Sequence, residues 1–142
     1  MGLVVGFVGI QFIPTDLNQS NIVPKEDIIE FYKPPYKVVT MLKNSCYDCH
    51  SNNTIYPWYN KLQPISWLLE NHIAEAKDEL NLSEFNAYSK RKQKAKLKSI
   101  VSQLEDDEMP LKGYVLMHDN AKLSEKDKTI LINWIEKLKD SL

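Results

Sequence analysis

The residues whose types and spacing can do chemistry stand together at Cys46-Tyr47-Asp48-Cys49-His50. Two thiols three residues apart can add across two vinyl groups on one edge of a haem, forming thioether bonds. The imidazole that follows is then held beneath the ring, where a nitrogen can bind iron. Three other uses of paired cysteines fit less well. A thioredoxin-like redox pair needs a βαβ context, whereas the flanks here read as helix and loop. A zinc site needs further ligands and generally a second paired knuckle, yet these are the only two cysteines in the chain. A disulfide across so short a loop would close little chain and stabilise little. Cys46 and Cys49 are therefore expected to hold one haem c covalently, with His50 as its iron ligand.

Such an iron needs a second ligand or an open position. Met41 precedes the motif too closely to cross the ring. Met109 is favoured: it falls in a late loop, and Pro110 stiffens the backbone that presents its sulfur. His72, His118 and Met117 are the alternatives. A lone histidine on an apolar helical stripe, as His72 is, more often bonds within a core or to a haem propionate. Tyr56, Trp58 and Tyr59, in an aromatic loop rich in helix breakers, are expected to wall the haem, together with Trp67 and Leu68 on the following helix.

The elements that must position these residues read as helices. At 142 residues the chain suffices for one domain with a real core, and 43% hydrophobic with 26% charged residues is ordinary for a globular protein. Four glycines and the scarcity of alternating β-branched runs argue against an all-β fold. A net charge of −1 supplies no general attraction for nucleic acid. Val38, Val39, Met41 and Leu42 define a short helix from Tyr36 that delivers the motif. Ile65, Leu68, Leu69, His72, Ile73 and Ala76 form a stripe behind Pro64. Leu97, Ile100, Val101 and Leu104 mark a third helix. Ser124, with Asp127 at the capping-box position, opens a last one whose buried face is Ile130, Leu131, Trp134, Ile135 and Leu138. Pro34-Pro35 predicts an extended stretch or short turn over residues 28–33. Residues 80–88 and 109–123 read as connections.

The N-terminal residues stand apart. Residues 1–13 are apolar apart from Gln11, and as a helix Gly2 to Ile13 would reach about 18 Å, short of the roughly 30 Å hydrocarbon core. They read as the remnant of a signal sequence or membrane anchor, followed by a tether over 14–26 and the haem-binding domain over 27–142. Covalent haem attachment implies export to the periplasmic side of a bacterial cytoplasmic membrane, with attachment through the N-terminus. Lys90 to Lys98 form a basic run that opposes its helix dipole and is expected to face a redox partner protein.

Beyond single motifs, Cys-Tyr-Asp-Cys-His-Ser, Tyr56-Pro57-Trp58-Tyr59, Asn81-Leu82-Ser83-Glu84-Phe85, Glu108-Met109-Pro110-Leu111 and His118 ahead of Leu123-Ser124 resemble the small bacterial haem-binding-domain family. The late Met-Pro and closing helix also resemble class I cytochromes c. The resemblance, over roughly residues 27–139, implies an all-α, cytochrome-c-like bundle of about four helices around one covalent haem. It carries over Cys46, Cys49, His50 and Met109. The resulting expectation is a single-haem electron carrier with His/Met ligation, not an enzyme. The alternative is a ligand-binding or peroxidase-like haem protein, or a haem sensor module, with an open or His-ligated distal site and His72 or His118 as acid–base group.

Overall fold

A computed structural model describes residues 2–142. Among them no strand occurs, so the all-α expectation holds. In chain order the α-helices are α1 (Gly2–Ile10), α2 (Ile28–Tyr32), α3 (Tyr36–Ser45), α4 (Tyr47–His50), α5 (Ile65–Glu79), α6 (Lys90–Glu105), α7 (Lys112–Met117) and α8 (Glu125–Ser141). Short 3-10 turns cover Trp58–Lys61, Leu82–Ala87 and Asp119–Ala121. The four long helices expected from apolar spacing are α3, α5, α6 and α8. The other four are short or lie outside the domain core.

Local chemistry explains where these helices start. Ser89 Oγ accepts from Lys92 N and opens α6. Ser124 and Asp127 form a complete capping box on α8. Asp27 Oδ1 accepts from Ile29 N (2.8 Å) and starts α2. Residues 28–32 are thus helical rather than extended. Pro34 keeps only Lys33 out of the right-handed helical region; Lys33 adopts a left-handed conformation (φ 48°) and ends the helix, and the residues before it stay free to form one. The late loop likewise contains α7, and residues 82–87 bury Leu82 and Phe85 instead of merely connecting.

α6 and α8 pack face to face through Leu97, Val101, Leu104, Leu131, Ile135 and Leu138, all buried. Val38, Met41 and Leu42 of α3 close the same core from the other side. On α5 the buried face differs from the apolar stripe. Ser66 and Ile73 are buried, with Leu69 and Ala76 half-buried, whereas Ile65, Leu68 and His72 face solvent. Gln63 and Ser66 are polar and buried, so apolar periodicity alone could not register this face.

The stretch after α1 is more than a tether. Asn18 Nδ2 donates to Ser51 O (2.8 Å) and Thr54 Oγ1 (2.9 Å), and Asn18 Oδ1 accepts from Lys77 Nζ (2.6 Å). Residues 15–23 are therefore laid along the loop that follows α4.

Candidate haem site

α4 is one helical turn, and its spacing sorts its side chains by direction. Cys46, at its N-cap, and His50 are four residues apart and share one side; Asp48 points away from them. Cys46 and His50 line an apolar cavity of about 270 Å³ inside the core. Leu97 and Ile100 of α6 and Trp134 of α8 form its walls, and Met109 with Pro110 closes another side. The volume lies just below the roughly 300–1,000 Å³ usual for ligand pockets.

His50 is fixed by the end of α5. Its Nδ1 lies 3.0 Å from Ala76 O and 3.1 Å from Leu80 O. Carbonyls only accept, so Nδ1 carries the proton and donates, which leaves the Nε2 lone pair free. Burial lowers the His50 pKa, outweighing the two carbonyls, which raise it; the ring is held neutral, the form that binds metal. Burial raises the thiols of Cys46 to about 12 and Cys49 to about 11, the first with a further push from Cys49 and the second from Asp48. Both are neutral thiols, unlike the low-pKa thiolates of redox-active or metal-binding pairs.

The residues between the cysteines are held as firmly as His50. Tyr47 Oη donates to Asp27 Oδ1 (2.8 Å), and burial with the Asp27 charge drives the phenol pKa far above the tyrosine range. Asp48 Oδ2 accepts from Tyr114 Oη (2.6 Å) and Oδ1 from Ile55 N (3.0 Å), while Thr54 Oγ1 donates to Asp48 O (2.6 Å). Ser45 Oγ reaches Ala121 O (2.9 Å). Residues 45–50 are thus tied to α2, α7, the loop after α4 and the turn before α8. Asp27 and Tyr114 are not visible as partners of the motif in the sequence, because each reaches Tyr47 or Asp48 of the Cys-x-x-Cys turn across the fold.

Met109 reaches the cavity through the end of α6. Asp107 turns left-handed (φ 56°), and the backbone N–H groups of Glu108 (3.0 Å) and Met109 (3.2 Å) both donate to Gln103 O. Gln103 also lines the cavity, as do Lys96 and Glu79, an ion pair at 3.3 Å.

The remaining expected site residues go elsewhere. Tyr56, Trp58, Tyr59, Met117 and His118 line a separate recess of about 290 Å³ on the Asp48 side of α4, where His118 stacks on Tyr114 at 4.1 Å. Trp67 and Leu68 face outward, and His72 is exposed on α5. The aromatic loop therefore walls the motif helix from behind, because Asp48 and Thr54 draw it to that side. His50, Cys46 and Met109 are brought to one cavity; Cys49 does not line it.

An all-helical domain with a buried apolar cavity, a free imidazole nitrogen, a thioether and a thiol on its walls has the donor set and lining of a haem-binding protein. The haem-binding domain family matches residues 5–137 of the chain, which therefore belongs to that family and binds haem. The match takes in most of the apolar N-terminal segment as well as the helical domain. Among the curated proteins and the solved structures nothing matches the chain.

Proposed function

We propose that the chain is a single-haem electron carrier of the c type, not an enzyme. In this reading Cys46 and Cys49 would hold the haem through thioethers, and His50 Nε2 and the Met109 sulfur would bind its iron. The observation that supports this is the meeting of His50 and Met109 on the walls of one apolar cavity, with the His50 ring locked through Nδ1. Bound haem supplies one-electron iron chemistry. The chain supplies the rest. The Ala76 and Leu80 carbonyls orient the imidazole and make it a better donor. Apolar walls exclude water and favour the less charged reduced state. A thioether ligand from Met109 would raise the potential further. With His50 and Met109 both bound to it, the iron would be closed to small ligands.

The peroxidase-like alternative needs an acid–base group beside the iron, and neither His72 nor His118 lines the cavity. In the carrier reading the protein works on the periplasmic side of a bacterial cytoplasmic membrane, attached through α1. A redox partner meets the exposed basic residues of Lys90–Lys98, among which Lys96 is engaged with Glu79.

Absorption of the purified ferric protein tests the ligation. Wild type should be low-spin with a weak far-red sulfur-to-iron band, and Met109→Ala should lose the band and bind cyanide. A wild type that is high-spin and reacts with peroxide would favour the alternative. Retention of haem through denaturation and acid-organic extraction tests the thioethers, and colourless extracted protein would refute them.

A further inference from the structure

Two segments of the chain are nearly bare of charge. Residues 2–15 hold no charged side chain, and residues 54–69 hold only Lys61. At the chain's 26% charged content, these 30 residues would carry about eight. The fold joins the two segments. Gln63 N donates to Gln11 Oε1 (2.9 Å), Gln11 Nε2 donates to Gln63 O (3.1 Å), and Gln63 Nε2 donates to Thr15 Oγ1 (2.7 Å). Around this junction apolar side chains stand in solvent: Phe12 is 81% exposed, Trp58 74% and Leu68 60%, with Ile13, Leu62 and Ile65 between 41% and 49%.

α1 leads into this surface. It is apolar on every side, yet buries no residue against the domain. A helix of that composition belongs in a core or in lipid, and this domain's core does not take it. Lipid is also what two exposed apolar segments with a single lysine between them suit. Trp58 has the ring type favoured at the water–hydrocarbon boundary. Lys61 has a stem long enough to carry its ammonium back to the headgroups.

We infer that Phe12, Ile13, Trp58, Leu62, Ile65 and Leu68 form a bilayer-contacting face, continuous with α1, that seats the domain on the membrane in one orientation. The inference rests on the attachment through α1 proposed above and extends it from a leash to a fixed pose. It also sets a geometry. α5 begins at this face and ends at the carbonyls that hold His50, and the twelve-residue step from Leu68 to Leu80 spans about 18 Å along the helix axis. The haem cavity, with Lys96 and Glu79 on its wall, lies at the end of α5 remote from the lipid and is left to partners from the aqueous side.

The test uses the full haem-loaded chain with vesicles of phosphatidylcholine and phosphatidylglycerol, with and without brominated acyl chains. Wild type should partition onto the vesicles, and brominated lipid should quench its tryptophan emission, with much of that quenching lost in Trp58→Phe. Ile65→Glu combined with Leu68→Glu, both at exposed positions, should leave the haem spectrum intact and lower the partition coefficient at least tenfold. No vesicle binding by wild type would overturn the attachment itself. Binding that persists in the double variant, without quenching of Trp58, would mean that α1 attaches alone and the face stays clear of lipid. A wild-type dimer in lipid-free solution that the double variant abolishes would assign the face to a second copy instead.

Discussion

At the scale of single residues, the chemistry is concentrated in side chains that hold other side chains still. His50 offers Nε2 only because Nδ1 is occupied by two carbonyls at the end of α5. Asp48, between the cysteines, is held by Tyr114 Oη and Ile55 N and so sets the roll of α4. Tyr114→Phe should therefore leave haem attached but loosen the motif helix. The expected loss is about 1 kcal/mol, the worth of one hydrogen bond, or up to about 3 kcal/mol where its partner is left unsatisfied, read by thermal denaturation of the haem-loaded protein. No loss, together with an unaltered iron spectrum, would show that Asp48 needs no such anchor. Met109→His should remain low-spin but at a lower potential than wild type, because imidazole stabilises Fe(III) better than a thioether does. Redox titration of both forms checks this.

Among elements, α6 and α8 carry the core and α8 depends on its first turn. Hydrogen bonds from Ser124 and Lys37 hold the Asp127 carboxyl down to about 2, against an ordinary value of 3.8. A depressed carboxyl contributes stability in full above its unfolded pKa, and that contribution disappears as pH falls through the folded value. The contribution of this cap should thus be complete above about pH 4 and fade toward pH 2. Asp127→Asn should be less stable than wild type at pH 6, with the gap closing as pH falls over that window; a constant gap would show that the carboxylate charge does not matter. In the core, Phe85 is fully buried between Tyr32 and Tyr88, in edge-on contact with both rings. Phe85→Ala should cost about 3–5 kcal/mol, measured by denaturant unfolding.

For the whole molecule, the cavity lies where the core would otherwise be densest, since Leu42, Leu82, Leu97, Leu104, Leu131 and Ile135 belong both to its wall and to the core cluster. Haem and core packing are therefore one structure, and a chain that fails to acquire haem should lose stability along with colour. The N-terminal residues divide into two parts at this scale. Removing residues 2–13 should lower the melting temperature only by the loss of the Gln11–Gln63 hydrogen bonds, because α1 itself buries nothing. Removing residues through 26 should lower it by several degrees, because Asn18 ties Ser51, Thr54 and Lys77 together. Equal melting temperatures for the two deletions would show that the stretch from Pro14 contributes nothing to the fold.

What the sequence by itself determined is the set of features governed by neighbours in the chain. The Cys-x-x-Cys-His turn, the cap at Ser124, the apolar faces of α6 and α8 and the all-helical character all arise within a few residues of one another. Tertiary structure decided everything that depends on distant partners. The aromatic loop of Tyr56, Trp58 and Tyr59 has a composition that suits a haem wall, yet Asp48, Thr54 and Tyr114 draw it behind α4. His72 sits on an apolar stripe but faces solvent, because α5 buries Ser66 and Ile73 instead. Asp27 holds Tyr47 across twenty residues of sequence, a pairing no spacing rule contains. Met109 comes to the cavity of His50 through the left-handed turn at Asp107 and the carbonyl of Gln103. Periodicity reports which residues avoid water; which neighbour they meet is set only when helices far apart in the chain compete for the same core.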